Sequence, residues 1–293
     1  WFPPGTNSIP RPCFAALEGK PKGVPDMTTA LNRALKTKKL FVFDMDGTVF
    51  LGGRVFDFAV RFIKNLRESG RRVLFFTNNA SHNPDYYYDK LRRMGFDPQD
   101  GEILTSGDVT VEFLKSHRPG KPVYLVGTPE LERQFTESGI TLSDSADIVV
   151  TSFDTTLTYK KLDTACRLVR NGAEYLSTHP DFNCPTEDGF IPDSGAIAAF
   201  VTASAGVTPT YFGKPYRTAV TMMCEITGFP TDDICIFGDR LYTDIALGKK
   251  NGVTAILVLT GETTENDVSA AAEADRPDFV INSLADADRA IFG

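Results

Sequence analysis

Asp44 and Asp46 stand one residue apart in LFVFDMDGTVF, residues 40–50, directly behind four bulky apolar residues. Two carboxylates at i and i+2 on a curling backbone can divide labour, one attacking an electrophile or binding a metal while the other carries a proton. A calcium loop is excluded, because it needs an acid or amide, a glycine and a glutamate where this chain has Thr48, Val49 and Val55. Asp239 and Asp244 follow in GDRLYTD, Lys214 in GKP and Thr77 in TNN. The four carboxylates offer hard oxygens of the kind magnesium takes, and Lys214 and the Thr77 hydroxyl offer donors for a phosphate. These are the ingredients of phosphoryl transfer. Phosphate monoesters need accelerations of up to about 10²¹, so covalent catalysis and concentrated positive charge are required together. Read singly, Lys-Pro is ordinary surface sequence and Thr-Asn-Asn an ordinary turn; their weight comes from their company and order.

Each of these groups ends a short apolar run: Leu40–Phe43, residues 72–76, 210–212 and 234–237. Such runs fit strands of a parallel sheet covered on both faces, and an open α/β sheet gathers its ligands beyond the carboxyl ends of its strands. The pattern predicts all four strands in one sheet, with their ends on one edge. Leu51-Gly52-Gly53-Arg54 predicts a tight turn carrying a small flap over the site. Phe58, Phe62 and Leu66 recur at helical spacing until Gly70, and Asn83-Pro84 opens a helix with Tyr87, Leu91 and Met94 on one face. Tyr86, Tyr87 and Tyr88 are expected to pack and not to react.

From Val123 a second βα series begins, with apolar runs VYLV, DIVV and EYLST alternating with helical patterns. The expected division is a core of residues 27–118 and 208–293 with an inserted α/β cap at 119–207. Residues 1–26 hold six prolines and no periodicity, reading as a loose extension. Met27, the first methionine, is a candidate start of the chain. A length of 293 residues with 42% hydrophobic content allows two domains with sizeable cores. The net charge of -7 argues against a nucleic-acid polymer or an anionic membrane as the main partner. No apolar run approaches the roughly 18 residues of a membrane span and no signal-peptide core is seen, so a cytoplasmic location is expected. The five cysteines are scattered without CxxC spacing and read as free thiols, and His82, His117 and His179 lie too far apart for a histidine metal cluster.

DMDGT at 44–48, TNN at 77–79, GKP at 213–215 and GDRLYTD at 238–244 resemble the haloacid dehalogenase superfamily of phosphatases. The insertion between TNN and GKP looks like the cap of the p-nitrophenyl phosphatase, ribonucleotide monophosphatase and pyridoxal phosphatase branch. Residues 178–197 are similar to that branch's cap segment, with His179 where relatives commonly have asparagine. The resemblance implies an α/β fold, with a Rossmann-like doubly wound parallel core and an inserted α/β cap. It implies that Asp44 attacks phosphorus to form an aspartyl phosphate, and that Asp46 protonates the leaving alcohol and then activates water. Magnesium (Mg2+) would be held by Asp44, Asp239 and the carbonyl of Asp46, with Asp244 fixing a water or ligand. Thr77, Asn78 and Lys214 would bind the phosphoryl oxygens, Lys214 also restraining Asp44. The substrate would be a small phosphorylated metabolite such as a sugar phosphate or nucleotide monophosphate, and a homodimer through the cap belongs to the same implication. Two alternatives stay open: a phosphomutase or phosphotransferase using the same intermediate, and a non-catalytic phospho-ligand binding module. His179, Asp181 and Phe182 follow a cap strand and precede a Pro- and Gly-rich loop, so they form a candidate specificity tip. The opposing reading has His179 capping local structure and Phe182 packed in the cap core.

Overall fold

The computed structural model describes residues 27–186 and 189–293; the proline-rich residues 1–26 lie outside them. The strands are β1 (Leu40–Phe43), β2 (Phe50–Leu51), β3 (Arg54–Val55), β4 (Arg72–Thr77), β5 (Ile103–Thr105), β6 (Val123–Val126), β7 (Ile148–Thr151), β8 (Glu174–Ser177), β9 (Asn183–Thr186), β10 (Gly189–Pro192), β11 (Thr210–Tyr211), β12 (Ile234–Gly238), β13 (Thr254–Val258) and β14 (Phe279–Ile281). The main sheet is parallel throughout, in the order β14-β13-β12-β1-β4-β5. From β1 the chain builds outward to β4 and β5, then returns to β12 and builds outward the other way. The order therefore reverses between β1 and β12, and the crevice at such a switch point is where open α/β sheets bind ligands.

The uninterrupted run LFVF is explained by where its side chains go. Phe41 and Phe43 enter one buried cluster with Phe62, Phe75 and Phe237, while Leu40 and Val42 enter a second with Leu74, Phe76 and Ile236. Phe43 stacks on Phe237 with ring centroids 5.0 Å apart and meets Phe62 edge-on at 6.0 Å. Each such buried side chain contributes about 1.5–3 kcal/mol, so the rigidity of β1 rests on its alternation between two covered faces. The first cluster is closed by helices Met27–Lys36, Asp57–Glu68, Pro84–Arg93 and Leu284–Phe292. Two helices start where their sequence signals stand. Asn83 accepts a hydrogen bond from the Tyr86 N–H ahead of Pro84, and Thr105 and Asp108 form a reciprocal capping box at the end of β5.

The cap carries a second parallel sheet, ordered β11-β8-β7-β6. One face joins the cluster containing Leu40 and Val42, through Val123, Leu125, Ile148, Val150 and Leu176. The other is covered by helices Tyr159–Arg170 and Ser194–Ala205. One expectation is corrected here. The run at 210–212 does not enter the main sheet: β11 pairs with β8, Thr210 opposite Leu176 and Tyr211 opposite Ser177. Only three of the four motif-bearing strands lie in the main sheet, and Lys214 arrives from the cap side. The expected flap is present as the β2–β3 hairpin, whereas the Pro- and Gly-rich cap segment pairs β9 with β10 antiparallel. No helix among the described residues is long and apolar enough to cross a membrane.

Candidate active site

Asp44 is the first residue beyond β1, and its N–H continues the ladder to the Phe237 carbonyl at 2.9 Å. Asp239 is the first beyond β12, directly across the switch point. Asp244 is brought back by one turn of π-helix, Leu241–Ile245, in which the Ile245 N–H reaches the Arg240 carbonyl. Single π turns of this kind concentrate at functional sites. Oxygens of the three carboxylates lie within 4.8 Å of one another. Lys214, almost wholly buried, reaches Asp44 Oδ1 at 2.5 Å, Asp244 Oδ1 at 2.7 Å and the Phe76 carbonyl at 3.1 Å.

Glycines let the backbone close in on these acids. A Cβ on Gly261 would stand 2.0 Å from Asp239 Oδ2, and one on Gly47, whose φ is +81°, would stand 2.3 Å from the same atom. That oxygen accepts the Glu262 N–H at 2.8 Å. Gly261→Ala is therefore expected to turn the Asp239 carboxylate aside and lower kcat/KM about a hundredfold, since a displacement of about 1 Å can cost that much. Activity within threefold of the parent enzyme would show that the Asp239 position is not needed.

The electrostatics follow from three carboxylates sharing one ammonium. Burial, with Asp244 adding repulsion against the pull of Lys214, pushes the Asp44 carboxyl up to about 6. Burial and the charges of Asp44 and Asp244 push Asp239 up to about 7. Burial works to lower the Lys214 pKa, but Asp244 and Asp44 outweigh it and hold the ammonium above its usual range. Asp239 Oδ1 is buried and has no hydrogen-bond donor among the described residues. Hard oxygens, excess negative charge and an orphaned carboxylate oxygen fit a divalent cation.

The other expected residues fare differently. Asp46 is exposed on the crevice wall, accepts the Gly52 N–H of the flap at 3.1 Å, and stands outside the three-carboxylate group. Thr77 lines the crevice, its hydroxyl accepting the Asn79 N–H. Of Asn78, expected to bind the phosphoryl oxygens, the side chain is engaged within the protein. Its Oδ1 accepts the Lys214 N–H at 2.7 Å, and its Nδ2 donates to the Lys214 carbonyl and to Asp181 Oδ2, both at 3.0 Å. It ties the lysine's backbone to the cap. His179 does not face the crevice: it is fully buried, with Nε2 2.9 Å from Asp193 Oδ1 and Nδ1 3.0 Å from the Thr178 hydroxyl. Ser106 joins this group to the core by donating to the Asn78 carbonyl. Of the expected tip, Asp181 lines the crevice, while Phe182 is exposed and lines an adjoining cleft with Phe190 and Tyr242, instead of packing in the cap core.

His179→Ala is accordingly expected to destabilise the protein by about 1–3 kcal/mol, the cost of leaving buried partners unsatisfied, and to scale kcat/KM down alike for all substrates. Melting temperature and kinetics on a panel of phosphate esters would check this. A changed order of substrate preference at unchanged stability would return His179 to substrate contact.

The crevice encloses about 270 Å³, a small-metabolite volume. Its wall includes residues to which the sequence gave no role. Tyr86 was expected only to pack; His82 lies over its ring at 4.0 Å, and Lys90 follows one turn on. Tyr86 and Lys90 are spaced i, i+4, which places them on one flank of their helix, and that spacing was the available signal. Arg240 also lines the crevice and is ion-paired with Glu262 at 2.9 Å.

Two family models match, "haloacid dehalogenase-like hydrolase" over residues 41–141 and "HAD-hydrolase-like" over 211–287. An acid sugar phosphatase of Staphylococcus aureus is 37% identical over 236 residues, covering 80% of this chain and 91% of that protein. A 4-nitrophenylphosphatase from Thermotoga maritima superposes with a TM-score of 0.82 at 41% identity, over 87% of this chain and 98% of that one. A p-nitrophenyl phosphatase from Archaeoglobus fulgidus gives 0.81 at 29% identity, over 87% and 99%. The match runs through both the main sheet and the cap, and the chain belongs to the haloacid dehalogenase-like hydrolases, in their cap-bearing phosphatase branch.

Proposed function

We propose that the protein is a magnesium-dependent phosphatase that hydrolyses a small phosphorylated metabolite, a sugar phosphate or similar ester, through a phosphoryl group carried on Asp44. The observation that carries this reading is Lys214 between Asp44 and Asp244, grouped with an Asp239 whose Oδ1 has no hydrogen-bond partner among the described residues. Lys214 engages Asp44 Oδ1, leaving Oδ2 to attack phosphorus as the ester P–O bond breaks. Asp46 gives its proton to the departing alkoxide. The same carboxylate then takes a proton from water, whose oxygen attacks phosphorus and breaks the bond to Asp44, restoring both acids. The Thr77 hydroxyl, the main-chain N–H of Asn78 and the Lys214 ammonium hold the phosphoryl oxygens. Asp44, Asp239, Asp244 and the carbonyl of Asp46 would hold magnesium, which supplies positive charge against that developing on the phosphoryl oxygens.

The similarity to acid sugar phosphatases and p-nitrophenyl phosphatases supports this choice. The test is rapid mixing with p-nitrophenyl phosphate, acid quench and borohydride reduction, followed by mass analysis of the peptide bearing residue 44. Reduction of the acyl phosphate to the alcohol at that residue is expected. Turnover without any modified peptide at quench times spanning one turnover would exclude the covalent route. Phosphoryl transfer to an added sugar in preference to water would replace the phosphatase reading with a phosphotransferase.

A further inference from the structure

Among the described residues three lysine or arginine side chains line the catalytic crevice, and two of them are held by acids: Lys214 by Asp44 and Asp244, and Arg240 by Glu262. Lys90 is the third. Its Nζ lies 4.4 Å from the centre of the Phe50 ring, and among the described residues no carboxylate stands within the 4.0 Å of an ion pair. A ring face returns about 0.5–2 kcal/mol to a cation, which is weak compensation for a half-buried ammonium. Burial holds this lysine below its ordinary range, opposed by the charge of Asp46. Phe50, under the Lys90 ammonium, belongs to the flap whose Gly52 N–H Asp46 accepts, and in the chemistry above Asp46 serves the leaving oxygen. That puts the ammonium on the leaving-group side of the crevice, away from the phosphoryl cradle at Lys214.

The wall around it is fixed. Tyr87 and Leu91 are buried in the core, so their helix cannot roll, and His82 stacked on Tyr86 stiffens the same flank. Asp181, on the same crevice, is hydrogen-bonded by Asn78, and no carboxylate of the described residues comes within ion-pair distance of Lys90.

We propose that Lys90 pairs with an anionic group, a carboxylate or a second phosphate, on the alcohol part of the substrate. The crevice then favours phosphate esters of hydroxy acids or of already phosphorylated alcohols over phosphates of neutral alcohols. This rests on the phosphatase reading and narrows its substrate class.

The test uses two matched pairs of esters. One is 2-phosphoglycolate against 2-hydroxyethyl phosphate; the other is 1,3-propanediol bisphosphate against its monophosphate. The quantity read is the ratio of kcat/KM, charged to neutral, for the full chain with magnesium. In the parent enzyme the ratio is expected to be about tenfold or more in at least one pair, and that pair identifies the anion. Lys90→Met should lower the ratio by about 10- to 100-fold, the range of hydrogen bonds to charged groups, and Lys90→Arg should retain most of it. Melting temperatures are recorded throughout, with Lys90→Gln replacing the methionine variant if that fails to fold. A parent ratio at or below one in both pairs overturns the proposal. So does a ratio unchanged within twofold in the methionine variant, including when both esters lose equally, which would assign Lys90 to the Phe50 contact or to Asp46. No phosphate release by the parent enzyme from any ester, p-nitrophenyl phosphate included, would overturn the phosphatase reading itself and this inference with it.

Discussion

Asp44→Asn is expected to lower kcat by about a thousandfold or more, because the amide keeps the shape of the carboxylate but is a poor nucleophile and a weaker partner for a cation. The same change should make the metal-free protein more stable. Asp44 is mostly buried, and its carboxyl, raised to about 6, is ionised at pH 8 at a cost to the native state. An uncharged side chain there also relieves repulsion with Asp239 and Asp244. Loss of activity with a raised melting temperature at pH 8 would separate a chemical role from a structural one. A purified variant retaining more than about a tenth of the parent kcat would mean that Asp44 is not the nucleophile.

Removal of divalent metal should abolish turnover, and magnesium should restore it. The metal-free protein should also report its acids through pH. Asp44 near 6 and Asp239 near 7 both lie above the ordinary 3.8, so between these values the folded state binds more protons than the unfolded one. Stability from these groups is therefore full below about pH 4, declines as pH rises through 4 to 7, and levels off beyond about 8. Asp108, raised to about 6 by burial despite its hydrogen bonds from Thr105 and Gln134, adds to the same decline. A bound cation acts against the loss at pH 8, by about 2.7 kcal/mol when present at a hundred times its dissociation constant, and it binds less well at pH 5, where protons compete for the carboxylates. Melting temperature across pH 5–8, with and without magnesium, reads both effects. Asp239→Asn should remove most of the magnesium response and leave the shares of Asp44 and Asp108 in the pH-dependent decline. Full activity in chelator, or a melting temperature indifferent to magnesium at pH 8, would exclude this metal site.

Much of the layout of the candidate site was legible because it is local. LFVF is apolar at every position, as only a strand covered on both faces tolerates, and the acids behind it mark the strand's carboxyl end, where the parallel sheet opens its crevice. The same holds for β4 running into Thr77 and β12 into Asp239. The membership of β11 was not legible. A two-residue strand carries no pattern that selects a neighbour, and only the approach of β8 decided that Thr210–Tyr211 joins the cap sheet. Nor could a sequence show how groups compete for hydrogen bonds. The Asn78 side-chain amide looks available to a ligand until Lys214 and Asp181, 136 and 103 residues further along the chain, take it and leave only the main-chain N–H for that task.

His179 and Lys90 show the same limit from opposite sides. The histidine looked functional beside a loop, yet tertiary packing seals it against Asp193 and Ser106. The lysine had no role assigned from the sequence, yet the docking of Tyr87 and Leu91 turns its flank of the helix toward the crevice, where it forms no ion pair with a carboxylate of the described residues. Residue types and their periodicity determined the chemistry on offer and the strands that deliver it. Which polar groups remain available for a ligand was decided only by the tertiary structure, because each hydrogen bond or ion pair depends on distances of a few ångströms between residues far apart in the chain.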